Sequence, residues 1–148
     1  METRRETEQQ RSWERTCPEA ITSDLLWKLD AYRAALFLQH VSLTDCRAIR
    51  SAACAPTVED QLRAAAGSIG AHLSEGYSRS TRADRLKFLG YALGSVRECA
   101  SWYLSARDIL PDAVIDERLM LIMRNRTLIL GLLRSIREGK GRAGRFEP

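Results

Sequence analysis

The stretch QLRAAAGSIGAHLSEGYSR, residues 61–79, decides how the chain is read. Val58, Leu62, Ala65, Ile69, Leu73 and Gly76 recur at spacings of three and four, the period of one helix face, with His72 as the alternative to Leu73. Pro56 and Thr57 mark where this helix starts, and glycine is the residue type that most often ends one, here Gly76. The interior is unusually small. Gly67 and Gly70 each cost about 1 kcal/mol relative to alanine, so packing has to offset them. Gly90 and Gly94 stand on the next helix, and the two small faces together imply that the second and third helices lie closely apposed.

Working outward, a third helix begins after a short corner. Thr81 and Asp84 form a T-x-x-D capping box, and Leu86, Leu89, Leu93, Val96, Ala100, Tyr103 and Leu110 keep a near-heptad spacing. Pro111 breaks the chain. A fourth helix follows with Asp112 as its cap and Val114, Ile115, Leu119, Ile122, Leu130, Leu133 and Ile136 on one side. Met120, Met123 and Leu128 fall off that side, so apolar residues occupy more than one face and point to a subunit contact. Before residue 61, a first helix is expected from about Ser23 to about Leu43, capped by Ser23 or Asp24. Its two stripes are Leu25, Leu29, Tyr32, Leu36 and Trp27, Ala31, Ala34, Leu38, Val41. The span 44–55 is open between a helical extension and a loop.

No segment has strand periodicity. Short connections between long helices favour antiparallel neighbours, so the fold class is all-α: an antiparallel up-down four-helix bundle over residues 21–138. Residues 1–20 are polar and charged and read as a flexible N-terminal arm. Residues 139–148, with Lys140, Arg142 and Arg145 among glycines, read as a flexible basic tail.

The 148 residues suffice for one domain with a real core. The net charge is +4, from 23 cations and 19 anions, and only Lys28, Lys87 and Lys140 are lysines. The excess is local: residues 61–110 hold seven cations against four anions. Its densest part is the corner SEGYSRSTRADRLKF, 74–88, with Arg79, Arg82, Arg85 and Lys87. Helix N-termini favour anions through their free N–H groups and dipole. Cations seldom sit there, so these four are the candidate nucleic-acid-binding residues. The alternative is a solvated corner with Arg79 paired to Glu75.

Little else carries chemistry. His72 and Glu75 resemble half of a di-iron motif turned round, but no other helix supplies the remaining ligands, so no metal or cofactor is expected. Ser68 has no base at a defined spacing, and no phosphate-binding loop or zinc-protease motif is present. An enzyme is not expected. Cys17, Cys46, Cys54 and Cys99 contain no C-x-x-C pair, and METRRETEQQRSWER has no apolar leader region. Reduced thiols and a cytoplasmic setting follow as expectations, without a membrane segment.

Residues 61–79 resemble the pattern Q-L-R-x-A-x-S-I-x-x-x-[IL]-x-E-G-x-x-R of the bacterial four helix bundle protein family, also known from intervening sequences of 23S ribosomal RNA genes. FLGYALGSVRECASWYLSARD, residues 88–108, resembles its second pattern, F-L-x-x-A-x-G-S-x-x-E-x-x-x-x-L-x-x-A, and Trp27 matches an early tryptophan. Gly70 replaces the family's usual proline. The resemblance implies a homopentamer. It also implies kinship with the accessory variability determinant of diversity-generating retroelements, a basic barrel that binds nucleic acid and a reverse transcriptase. The motif positions carried over are Arg63, Ser68, Glu75, Gly76 and Arg79, then Gly94, Ser95 and Glu98, none with a catalytic role. Glu75 and Glu98 are expected to accept hydrogen bonds across the helix seam, with Arg63 as one donor. Two function classes result: a non-enzymatic nucleic-acid-binding scaffold or accessory protein, and a protein-interaction adaptor.

Overall fold

The computed structural model describes residues 2–52 and 56–139, with side chains described over 8–52 and 57–139. Cys54, the tail cations Lys140, Arg142 and Arg145, and most of the expected basic tail lie outside these residues. The described chain is all helical: α1 (Glu2–Glu14), α2 (Glu19–Thr22), a 3-10 turn (Leu25–Lys28), α3 (Asp30–Ser51), α4 (Pro56–Tyr77), α5 (Arg82–Ser105) and α6 (Asp112–Arg137).

The long helices form a helical bundle in which α3 packs on α4, α4 on α5, α5 on α6 and α6 back on α3. Neighbours run antiparallel. Gly70 faces Leu36 and Gly67 faces Gln39, while Cys46 Sγ donates to the Glu59 carbonyl, so α3 rises as α4 falls. Asn125 Nδ2 reaches the Ala34 carbonyl at 3.3 Å and Arg118 reaches Asp45, giving the same sense for α3 and α6. The core is built largely from the stripes read in the sequence: Leu38, Leu62, Ile69, Leu73, Leu89, Val96, Tyr103, Ile122 and Leu133 are all buried, whereas Leu130 of the expected fourth-helix stripe is exposed and Ile129, outside that stripe, takes the core position.

Three differences from the sequence reading have physical causes. The first helix is broken. Asp24 accepts from the Leu26 N–H and caps only a 3-10 turn; Leu29 is extended, and α3 then runs to Ser51. Of the two stripes, Ala31, Ala34 and Leu38 face the core, while Leu25 is exposed. The N-terminal arm is also more structured than its composition implies. Trp13 of α1 packs at 5.5 Å from Phe37 and 5.4 Å from His40, ring centre to ring centre. Two polar ties flank it: Arg124 donates to Gln10 at 2.9 Å, and Arg33 pairs with Glu14 at 3.3 Å. One large aromatic anchors a helix that is otherwise polar. Finally, α6 starts one residue earlier than expected, with Pro111 at the cap position and Asp112 in its first turn.

The small residues of α4 serve a different neighbour from the one expected. A Cβ on Gly70 would meet Leu36 at 3.2 Å and one on Gly67 would meet Gln39 at 3.4 Å, both on α3. Gly90 and Gly94 of α5 have open space where a Cβ would stand. The tight α4–α5 contact is at Gly76, where a Cβ would lie 3.1 Å from Phe88 Cβ. Phe88 Cβ is held by the helix backbone and cannot swing away. Gly76→Ala is therefore expected to destabilise by about 1–2 kcal/mol despite better helix propensity. Gly90→Ala, which meets nothing, should stabilise by about 1 kcal/mol. Urea unfolding of both variants checks the pair; equal shifts would contradict the packing described.

Candidate nucleic-acid interface

The antiparallel order brings the C-termini of α4 and α6 beside the N-terminus of α5. Thr81 caps α5: its hydroxyl accepts from the Asp84 N–H, the half of the T-x-x-D capping box that the spacing calls for, and donates to the Asp84 carboxylate at 2.6 Å. The four corner cations then have defined places. Arg82 donates to the carbonyl of Arg137, the last residue of α6. Arg85 Nε donates at 2.7 Å to the carbonyl of Arg79, just past the end of α4. Arg79 pairs with Glu75 at 3.3 Å and lies 4.6 Å over the Phe88 ring. Lys87 Nζ is 5.9 Å from the centre of the Tyr91 ring.

These contacts resolve why cations sit at a helix N-terminus. Arg82 and Arg85 serve neighbouring helices, because carbonyls at a C-terminus carry partial negative charge that an arginine satisfies, whereas Arg79 and Lys87 make contacts of another kind. The solvated-corner reading is thus met in part, since Arg79 does pair with Glu75. Each guanidinium nevertheless has five donors, and one hydrogen bond leaves the others and the whole positive charge available. Arg79, Arg82 and Lys87 are exposed, and Arg85 is half-buried.

Arg134 and Arg137 in the last turn of α6 join them. This end of the bundle therefore carries Arg79, Arg82, Arg85, Lys87, Arg134 and Arg137 against Glu75, Asp84 and Glu138. The opposite end has the reverse balance, with Glu59, Asp60, Asp108, Asp112, Asp116 and Glu117 outnumbering Arg47, Arg50, Arg63 and Arg107. A bundle charged in this way presents an anion-attracting end, not an anion-attracting side.

The other motif residues separate into structural roles. Arg63 does not cross the seam to Glu75 or Glu98. It pairs along its own helix with Asp60 at 2.8 Å and with Glu59 at 3.7 Å. Glu75 is exposed and pairs with Arg79, with His72 Nδ1 at 3.9 Å, beyond hydrogen-bond reach. Glu98 is exposed and pairs with no described residue. The expected seam bonds are absent because both carboxylates point outward on faces that no neighbouring helix covers. Ser68 donates to the Ala64 carbonyl at 2.8 Å, Ser95 is buried, and Gly76 makes the close approach described above.

A buried ion pair among the described residues was missed in the sequence. Asp45 Oδ2 accepts from the Tyr103 hydroxyl at 2.7 Å and from Arg118 Nε at 2.7 Å, joining α3, α5 and α6. Its side chains are 6% and 11% exposed for Asp45 and Arg118. The signal was present: Asp45 and Arg118 occupy core positions of their helices, where a charge is out of pattern. The cysteines are quiet. Burial pushes the Cys46 thiol up to about 11 and the Cys99 thiol up to about 12, so both stay protonated at neutral pH.

Among the described residues, no group of three or more His, Cys, Asp and Glu could hold a metal ion. No described helix is long and apolar enough to cross a membrane. No curated protein matches the chain, and no solved structure does. A family model described as 23S rRNA-intervening sequence protein matches residues 29–117, from the start of α3 into the first turns of α6. That span is more than half of the chain and includes both motif stretches and the whole cationic corner, so the chain belongs to the 23S rRNA-intervening sequence protein family.

Proposed function

We propose that this chain is a non-enzymatic nucleic-acid-binding scaffold or accessory protein, working in the cytoplasm as a homopentamer of four-helix bundles. The observation that carries the reading is the basic end of the bundle, where three helix termini gather Arg79, Arg82, Arg85, Lys87, Arg134 and Arg137. Five copies turn a modest local charge into a ring, and multiple weak phosphate contacts then act together. Exposed Leu104, Met123 and Leu130 on α5 and α6 support a contact between copies. The resemblance to retroelement accessory proteins adds a reverse transcriptase, or an RNA process, as the setting.

A second reading is a protein-interaction adaptor. It is favoured by the engagement of Arg82 and Arg85 with helix carbonyls and by the same exposed apolar residues. Two measurements on the purified protein separate the readings. Light scattering should return about five times the chain mass, and a monomer or dimer at micromolar concentration contradicts the pentamer. An electrophoretic shift with structured RNA and with duplex DNA should appear at low salt and fade at moderate salt. An unshifted probe at every salt favours the adaptor.

A further inference from the structure

Beside the cationic corner lies a patch that charge does not account for. Phe88 and Tyr91 of α5 meet edge to face at 5.7 Å. His72 of α4 lies 6.4 Å from Phe88 and 5.5 Å from Tyr91. Arg79 covers the Phe88 ring, and Lys87 stands near Tyr91 one turn earlier on the same helix. The half-buried Phe88 and His72 back the platform, while Tyr91 is 46% exposed. Helical side chains lean toward the N-terminus, so the residues able to cover Tyr91 from behind are 94 and 95. Residue 94 is glycine with open space around it, and Ser95 is buried, so that side of the ring is uncovered.

An exposed ring bordered by cations suits one kind of ligand. A duplex hides its base faces in the stack and offers only phosphates to such a surface. An unpaired base offers a face, and the phosphates on either side of it offer charge. We propose that this patch binds an unpaired nucleic-acid strand, with a base stacked on Tyr91 and the flanking phosphates held by Arg79 and Lys87. The assignment rests on the nucleic-acid reading above and narrows it from nucleic acid in general to single strands.

The test compares a short labelled oligouridylate, an oligothymidylate and a duplex of matched length by fluorescence anisotropy. The parent and Tyr91→Ala, Tyr91→Phe and Gly94→Gln variants are used at fixed salt. Tyr91→Ala should weaken binding of the single strands by about 5- to 10-fold or more and leave the duplex unchanged. Tyr91→Phe should keep the affinity, because the ring and not the hydroxyl does the stacking. Gly94→Gln, whose new side chain has room, should cover the ring and weaken single strands alone. Equal effects of Tyr91→Ala on single strands and duplex, or none on either, would overturn the assignment while leaving the basic end as the binding site. A change of assembly mass in Tyr91→Ala by light scattering would overturn it too, making the patch a contact between copies. Failure of the parent to bind any of the probes would overturn both this assignment and the function it rests on.

Discussion

Asp45→Ala is expected to lower the free energy of unfolding by about 3–5 kcal/mol, the largest effect of any single polar substitution in the bundle. The magnitude comes from the partner left behind. Arg118 is buried, and among the described residues its guanidinium has only Asp45 and the half-buried Glu117, 3.1 Å from Nη1, as acceptors. Burial works against the Arg118 charge, and the hydrogen bond and charge of Asp45 outweigh it, so its pKa is raised. Removing Asp45 strands a positive charge between α3, α5 and α6. Tyr103→Phe loses one hydrogen bond to the same carboxylate and should cost only about 1–2 kcal/mol. The double variant Asp45→Leu with Arg118→Met should recover most of the loss, because removing both charges also removes their desolvation cost. A double variant as unstable as Asp45→Ala would show that geometry, not the isolated charge, is what matters. The phenol adds a pH signature. Burial, then the charge of Asp45, pushes the Tyr103 pKa far above its ordinary value of 10.0. The unfolded chain therefore ionises first. This contribution to stability is complete below about pH 10 and is lost as pH rises beyond it, a loss that Tyr103→Phe should lack.

Arg82→Glu combined with Arg85→Glu is expected to abolish nucleic-acid binding, with a loss on the order of 100-fold at low salt. In the proposed assembly, which would bind through many weak contacts, two phosphate-attracting charges would become repulsive in every copy. The structure adds a second effect. Both arginines donate to carbonyls at the ends of α6 and α4, and glutamate there faces the negative end of a dipole. A stability loss of about 1–2 kcal/mol should accompany the binding loss. Arg82→Gln with Arg85→Gln separates the two effects. Glutamine keeps an N–H for the carbonyl and drops the charge, so stability should stay near the parent while affinity still falls about tenfold or more. Thermal melts beside binding curves check this. If the glutamine pair binds like the parent, the site lies elsewhere, and the tail cations Lys140, Arg142 and Arg145 become the place to look.

The parts of the fold legible in the sequence were those where local signals agree. Residues 56–77 and 82–105 carry apolar periodicity, a glycine stop and a T-x-x-D cap; the first of these helices forms within a residue of its expected limits, and the second starts where expected but ends at Ser105, short of the expected Leu110. The span 44–55 was not legible for a definite reason. Asp45 interrupts the apolar stripe where helix continues, and its two partners are 58 and 73 residues away. A charge satisfied only by tertiary contact looks, in sequence, like the start of a loop. The break at Leu29 has no breaker residue, and it follows from Asp24 capping a 3-10 turn that α3 does not continue. The glycines of α4 announced a close approach but not the neighbour, since smallness carries no direction.

The corner was legible as charge and not as structure. Four cations within nine residues, Arg79 to Lys87, stand out in any sequence. Nothing local shows that α6 ends beside Arg82, or that Arg134 and Arg137 extend the basic end. The same limit applies to His72, Phe88 and Tyr91, which come from two helices and form one platform only when α4 and α5 pack antiparallel.

The most direct test of the account is the salt dependence of RNA affinity for the unmodified protein. Each phosphate neutralised releases counterions, so the logarithm of affinity should fall linearly with the logarithm of salt concentration. The slope should correspond to at least about three or four contacts, the number one basic corner can supply. Affinity that is flat across salt, or no binding at the lowest salt, would contradict a phosphate-holding basic end and leave the apolar faces of α5 and α6 as the surface that does the work.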